Sequence, residues 1–553
     1  MTWRLRLLYF GFLLWAGFLL TRLGYWQLYL GKSLRASAES QYTQSRTLQG
    51  VRGQILASDG YPLATSSDSF LFFVNPQKLP DDLDPIISVL DTLDASESAK
   101  AQLTSPDKSD RLWWPILPHI SPPVKDRLEQ LQLAGLGFEP NFVRRYPEGS
   151  SSAYLTGFLG RASDGTPTGY FGLEGFYERQ LSGTPGKLTQ ETDGLGQPIV
   201  IGSELKISAR IGRSIPTSID RVVQYTAFKK LTAGLERYQA LSGTVTVIES
   251  QTGRVLAMVS LPAYDPNTFS SSDSKLYRNP IVADGYEPGS TFKAIIMASA
   301  LDAGVVTPDT VCTICQGPAI VSDKTIRSYN NKYYPDSTMP DVILHSDNVG
   351  MVFVGKLLGK DKLLAYLKKF GFGQPTGVDL QEDSTPTLRP DNQWGEVELA
   401  TASFGQGIAV TPLQLTSAVN VLATRGLYYP PQVAAEPLPQ PIRVISQTAA
   451  TTTTEMLTRG VSTGEVRYYR PEGYQIAGKT GTAQIPIEGF YDPDKVIASF
   501  VGFAPADNPK FTMLVTLTEP KTSPWGSTTA APLWFDIARE LFRYYQIPPR
   551  PGL

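Results

Sequence analysis

A serine and a lysine three residues apart, Ser290 and Lys293, stand at the head of an apolar stretch. Two polar islands follow, Ser346-Asp347-Asn348 and Lys479-Thr480-Gly481-Thr482. A serine hydroxyl is a weak nucleophile until a neighbouring group removes its proton. Their spacing is about one helical turn, so Ser290 and Lys293 share a face and come within reach of each other. Lysine ordinarily titrates near pH ~10.4, too high for a base at neutral pH, but burial and a second cation lower that value. Lys479 is a candidate for the second cation. Pro288-Gly289 set Ser290 at a helix start, where free backbone N–H groups help to stabilise an oxyanion.

Ser346 and Asn348 flank Asp347 in a tight polar turn, so both can face a cleft, one relaying a proton and one gripping a substrate amide. Strand alternation puts Lys479 and Gly481 on one face and Thr480 and Thr482 on the other. Gly481 lets an extended peptide approach the backbone closely, and an edge strand can pair with that peptide. Lys479 and the hydroxyls of Thr480 and Thr482 then receive its terminal carboxylate. Each motif alone is commonplace: a solvated helix pair, a turn, a strand end. Together and in order they point to acyl transfer through a serine.

Positioning these groups needs a sheet and a buried helix. Thr244 to Ile248 and Arg254 to Val259 read as a hairpin, and Ser290 to Ala303 as an apolar helix stopped by Gly304. Thr411-Pro412 opens another helix that Gly426 closes. Strands are predicted at 474–483, 497–504 and 511–517, with a last helix over 529–545. Strands early and late around a helical middle predict one antiparallel sheet assembled from distant parts of the chain. The Pro- and Thr-rich stretch 435–454 reads as an exposed loop. Residues 32–215 are turn-rich, with Arg52-Gly53, Asp59-Gly60, Gly183-Thr184-Pro185-Gly186 and Asp193-Gly194, and carry no catalytic constellation.

At 553 residues the chain needs two or three domains. Its 50 Lys and Arg against 52 Asp and Glu, without a basic run, provide no electrostatic footprint for nucleic acid. Two histidines and two cysteines cannot furnish a multi-ligand metal site or a disulfide framework. Cys312 and Cys315 leave open a disulfide, a metal half-site or a redox pair; without further cysteines zinc is disfavoured and a structural or incidental pair is the simpler reading. Near the amino terminus Arg4 and Arg6 precede an apolar run over 7–20, with Arg22, Tyr25, Trp26 and Tyr29 beyond. Extended to Leu30 the segment is long enough to span a bilayer, with aromatics at the interface. Ala36-Ser37-Ala38 lies too far downstream for a signal-peptidase site, so a retained anchor is expected.

The trio resembles the active-site motifs of the class B penicillin-binding proteins, and the likeness runs over nearly the whole chain. Tyr286-Glu287-Pro288-Gly289, Phe404-Gly405-Gln406-Gly407 with Thr411-Pro412-Leu413-Gln414, and Ser499-Phe500-Val501-Gly502 are similar to the family's surroundings of these motifs. Arg144-Arg145-Tyr146-Pro147 and Gly172-Leu173-Glu174-Gly175 look like signatures of its pedestal. One departure is Ala57-Ser58-Asp59-Gly60 before Leu63-Ala64, where the family usually shows Asp-Arg-Asn-Gly. The resemblance implies an α/β (α+β) fold: a β-lactamase-like transpeptidase domain with an antiparallel sheet flanked by helices, at 216–553. An elongated, mainly β pedestal of dimerisation type at 32–215 and a cytoplasmic stub with a transmembrane helix at 1–31 precede it.

It further implies a serine D-Ala-D-Ala transpeptidase outside the cytoplasmic membrane, working in cell division. Ser290, activated by Lys293, attacks the penultimate D-Ala carbonyl of a stem peptide, and the N–H groups of Ser290 and Thr482 hold the oxyanion. Ser346 passes a proton to the leaving D-Ala, Asn348 orients the donor, and an amine of a neighbouring stem takes the acyl group. No cofactor or metal is implied; β-lactams are implied as covalent inhibitors, and a polytopic glycan polymerase with division proteins as partners. Rival readings are an elongation enzyme, a D,D-carboxypeptidase or β-lactamase, and a non-catalytic sensor or scaffold. No Glu-x-x-Leu-Asn lies between Asn348 and Lys479; Glu396-Val397-Glu398-Leu399-Ala400 comes nearest. Too few residues precede Leu7 for an inner signalling domain. Gly460-Val461-Ser462-Thr463-Gly464 matches a hydrolase nucleophile elbow, yet both His119 and His345 precede it, against that fold's order.

Overall fold

Alternate residues of the carboxy-terminal strands divide between two cores, and this sets the architecture. The computed structural model describes residues 2–48, 50–93, 96–105, 111, 113–191, 199, 204–438, 440–487 and 490–550. Five antiparallel strands form the main sheet: β1 (Ser242–Glu249), β2 (Val255–Leu261), β3 (Ala477–Ile487), β4 (Phe490–Ala504) and β5 (Phe511–Thr518), in the order β2-β1-β5-β4-β3. The expected sheet of early and late strands is thus formed. Met513, Val515 and Leu517 of β5 join Phe500 of β4 beneath helices α1 (Arg221–Tyr238) and α6 (Ala530–Tyr544). Leu514, Val501 and Phe503 point the other way, into the core of α2 (Lys293–Asp302), α3 (Asn348–Leu358), α4 (Pro412–Ala423) and α5 (Gln447–Thr463). Each large side chain so buried, Trp534 and Phe535 among them, stabilises the fold by about 1.5–3 kcal/mol.

The expected caps are in place on α4: the Thr411 hydroxyl accepts from the Gln414 N–H at 3.2 Å, and the Gln414 side chain accepts from the Thr411 N–H at 3.0 Å. The stretch 435–454 departs from expectation, because its second half begins α5. The Ser446 hydroxyl caps that helix, and Ala449, Ala450, Met456 and Leu457 are buried on one side. Its threonines bond back to carbonyls four residues earlier, as Thr453 does to Ala449 at 2.8 Å, so a polar run persists within a helix. Cys312 and Cys315 are joined in a disulfide.

The described residues fall into two compact units. One gathers Met1–Gly53 and Ser182–Arg213. It holds a three-stranded antiparallel sheet of Thr43–Leu48, Gly186–Glu191 and Glu204–Ile207, with Gly186–Glu191 in the middle. The Asp193-Gly194 turn lies outside the described residues. The amino-terminal helix runs from Thr2 to Tyr29, 28 residues long and apolar enough to cross a membrane. At ~1.5 Å per residue it reaches about 40 Å, beyond the ~30 Å of a hydrocarbon core.

The other unit joins Gln54–Leu181 to Ser214–Leu553. Its long strand Pro62–Val74 pairs on one side with Trp114–Ile120 and on the other with Leu136–Arg145. Ile55, Leu63, Tyr146, Leu155 and Leu173 share one core with Ile248, Val255, Leu413 and Val433. Beside that core Arg144 Nε donates to Glu174 Oε1 at 2.7 Å with both side chains buried, and the Tyr146 hydroxyl donates to the same oxygen at 3.3 Å. Removing one partner of a buried ion pair is strongly destabilising, so Glu174→Ala should lower unfolding stability by about 3–5 kcal/mol. Denaturant titration measures it, and a loss under ~1 kcal/mol would show the pair to be dispensable.

Candidate active site

Ser290 lies in a 3-10 turn, Gly289–Phe292, that feeds directly into α2. In such a turn residues i and i+3 nearly eclipse, which aligns Ser290 with Lys293. Gly289 adopts φ +55° and donates its N–H to Gly405 O at 3.0 Å, while the buried Thr291 hydroxyl donates to Pro288 O at 2.7 Å. Gly405 must be glycine: its φ is +83°, and a Cβ there would stand 2.1 Å from Gly289 O. Ser290 is half-buried, and its hydroxyl makes no hydrogen bond to Lys293 among the described residues.

Lys293 is fully buried, and its Nζ donates to Ser346 O at 2.6 Å, Asn348 Oδ1 at 2.7 Å and Ser346 Oγ at 3.2 Å. Lys479, also buried, donates to the same Ser346 Oγ at 3.0 Å and to Thr480 O at 3.3 Å. Burial first, and then the positive charge of Lys479, hold the Lys293 ammonium well below the ordinary lysine range, against the opposing pull of Asp347. Burial pushes Lys479 down to about 8, with Glu465 opposing. The two lysines thus reach one hydroxyl, Ser346 Oγ.

Ser346 occupies the left-handed region at φ +52°, between helix Met339–Leu344 and α3. For a non-glycine residue that conformation costs roughly 1–3 kcal/mol and persists only where neighbours impose it. Asp347 is the neighbour that does so: it caps α3 by accepting from Val349 N at 2.9 Å and also accepts from the buried Ser328 hydroxyl. Asn348 donates to Arg327 O at 3.1 Å while accepting from Lys293, so its amide orients the lysine.

Strand β3 is a sheet edge, as expected. Gly481 is required there for a reason that local pattern did not provide: a Cβ would stand 2.8 Å from Thr291 Cγ2 and 2.5 Å from Ser499 Oγ, so the turn that holds Ser290 itself needs that gap. Thr482 Oγ1 accepts from Gly526 N at 3.0 Å on the opposite face, and Thr480 stays half-buried beside Lys479. All eight residues singled out are thus gathered on the Ser290 turn, the Ser346 turn and β3. Missed were Ser328 and Gly526, and, although Glu287 and Gly405 stood within the quoted motifs, the contacts that these two make; all four act through partners distant in sequence. No group of three or more His, Cys, Asp or Glu gathers among the described residues to ligate a metal.

Residues 243–542 match the penicillin binding protein transpeptidase domain, and 47–213 the penicillin-binding protein dimerisation domain. Stage V sporulation protein D of Bacillus subtilis is 32% identical over 96% of this chain and 84% of its own length. The peptidoglycan D,D-transpeptidase FtsI of Escherichia coli K12 is 28% identical over 99% and 93%. Penicillin-binding protein 3 of Mycobacterium tuberculosis, solved with ampicillin, superposes with TM-score 0.70 at 25% identity, covering 92% of this chain and 98% of that one. Penicillin-binding protein 2X of Streptococcus thermophilus shares the fold with TM-score 0.75 at 23% identity, over 91% and 80%. With a transpeptidase domain over more than half its length and a dimerisation domain before it, the chain belongs to the class B penicillin-binding proteins, serine D-Ala-D-Ala transpeptidases of peptidoglycan.

Proposed function

We propose that Ser290 is the nucleophile of this transpeptidase and Lys293, uncharged, its general base. The observation that carries the reading is the shared Ser346 hydroxyl, 3.2 Å from Lys293 Nζ and 3.0 Å from Lys479 Nζ. A neutral amine has two N–H bonds, which the short contacts to Ser346 O and Asn348 Oδ1 use; its lone pair is then left to take a proton, and the Ser346 hydroxyl 3.2 Å away is a donor to it rather than an acceptor. Ser290 Oγ attacks the penultimate D-Ala carbonyl, and the backbone N–H groups of Ser290 and Thr482 receive the oxyanion. Ser346, between two lysines, relays the proton to the departing D-Ala. Lys479, with Thr480 and Thr482, holds the terminal carboxylate, Gly481 keeps the strand open, and Asn348 orients the donor. An amine of a second stem peptide then takes the acyl group, so a β-lactam entering by the donor's path stays bound to Ser290.

The division of labour we propose sets an anchor at 1–31, a pedestal at 32–215 and the catalytic domain at 216–553, with one membrane crossing and the catalytic domain outside. The folding units cut the chain elsewhere because residues 54–181 complete a core with the catalytic domain. Septal cross-linking is the favoured setting, supported by the alignment with FtsI over nearly the entire chain. A glycan polymerase and division proteins are the partners that setting requires.

Fluorescent penicillin should label the intact protein and not Ser290→Ala. Lys293→Met, close in volume, should slow acylation by about a hundred- to ten-thousand-fold while unfolding stays cooperative. Equal labelling of the serine variant, or undiminished kinetics in the lysine variant, contradicts the assignment. The acylation rate should also fall through an alkaline limb centred at about 8, where Lys479 loses its proton and with it the attraction for a carboxylate. Arginine stays charged past pH ~12, so Lys479→Arg should remove that limb from the measurable range; a limb that persists assigns it to another group.

A further inference from the structure

Three residues before Ser290 stands a carboxylate that the acyl-transfer steps do not use. Glu287 is half-buried, and among the described residues its oxygens meet only neutral donors: Gly407 N at 3.0 Å and the Tyr491 hydroxyl at 3.1 and 3.0 Å. Among the described residues no lysine or arginine forms an ion pair with it; Arg389, the cation whose field reaches it, is paired with Glu398 at 3.6 Å. Burial raises the affinity of this carboxyl for a proton, the mark of a negative charge without a full counter-ion. A carboxylate offers about four lone-pair positions, and its partners here leave at least one free.

The location of Glu287 connects it to the donor groove. A Cβ on Gly289 would stand 3.2 Å from Ala483 Cβ, so the segment holding Glu287 runs beside β3 just past Thr482. Tyr491 lies opposite Pro486, farther along the same hairpin. A donor with its terminal carboxylate at Lys479 and its acyl carbonyl at Ser290 runs antiparallel to β3, each preceding residue about 3.4 Å farther toward Tyr491. In the proposed reaction, on which this inference rests, the acceptor is an amine of a neighbouring stem, and donor and acceptor stems are copies of one molecule. The donor therefore carries that amine too, and because its last two residues are alanines the amine lies upstream of the scissile bond.

We infer that Glu287, held by Gly407 and Tyr491, is the subsite for a primary ammonium on the donor peptide upstream of its acyl residue. It supplies the missing counter-ion from the substrate and selects donors whose amine has not yet been consumed. Glutamine at 287 keeps the acceptor oxygen that braces Gly407 and Tyr491 but carries no charge, which separates recognition from bracing.

The test uses the full-length protein in detergent and two synthetic donors ending in D-Ala-D-Ala, alike except that an upstream lysine is free or acetylated. D-Ala release gives kcat/KM for each. The wild type should favour the free amine by about tenfold, chiefly through KM, and Glu287→Gln should bring the ratio to about one. A wild type indifferent to acetylation overturns the subsite, as does a preference that survives in the glutamine variant. Loss of benzylpenicillin labelling in the glutamine variant also overturns it, since Glu287 would then serve Ser290 itself. A wild type that benzylpenicillin does not label sinks the acyl-enzyme reading instead, so the two failures are distinct.

Discussion

Two lysine nitrogens meet at one serine hydroxyl inside the protein, Lys293 Nζ at 3.2 Å and Lys479 Nζ at 3.0 Å from Ser346 Oγ. Removing an ammonium from water costs several kcal/mol, and a second one beside it multiplies the penalty. Burial and the charge of Lys479 both weaken the hold of Lys293 on its proton, which is what the proposed base needs. In the proposed reading a neutral Lys293 serves as the base beside a serine, and a charged Lys479 remains to meet an anion. Both roles follow from one electrostatic conflict.

Much of the surrounding structure holds that conflict in place. Helix α2 is buried on every side from Lys293 to Ala300, so its lysine cannot swing out to water. Asp347, pinned by Ser328 and the start of α3, keeps Ser346 in its left-handed conformation with both carbonyl and hydroxyl turned to Lys293. From the opposite wall β3 brings Lys479, and the absent side chain at Gly481 lets Thr291 and the nucleophile turn approach that strand. Gly405 does the same from the third side by closing on Gly289 O. Small residues at these approaches convert three islands separated by 53 to 133 positions into one site.

The sheet, the edge position of β3, the capped α4 and the trio of motifs were legible because each rests on local spacing: period two, period 3.6, a cap, a turn. What escaped was decided by distant contacts. The stretch 435–454 reads as a loop by its threonines, yet their hydroxyls bond back into α5 once Ala449 and Leu457 find a core. Asn348 reads as a substrate ligand, and only the folded chain shows its amide already engaged by Lys293 and Arg327. Gly481 has the identity foreseen but an additional cause, in Thr291 and Ser499. Glu287 gave no signal in spacing, since its partners Gly407 and Tyr491 lie 120 and 204 residues away.

The most direct measurement is the protonation of Lys293 itself, followed by side-chain NMR of protein carrying labelled lysine, with Lys293→Arg to identify its resonance. Lys293 should titrate well below an ordinary lysine, shifting upward when Lys479 is replaced by methionine. A Lys293 that keeps its proton to pH ~10.4, with or without Lys479, would contradict the base assignment and the electrostatic conflict from which it is drawn.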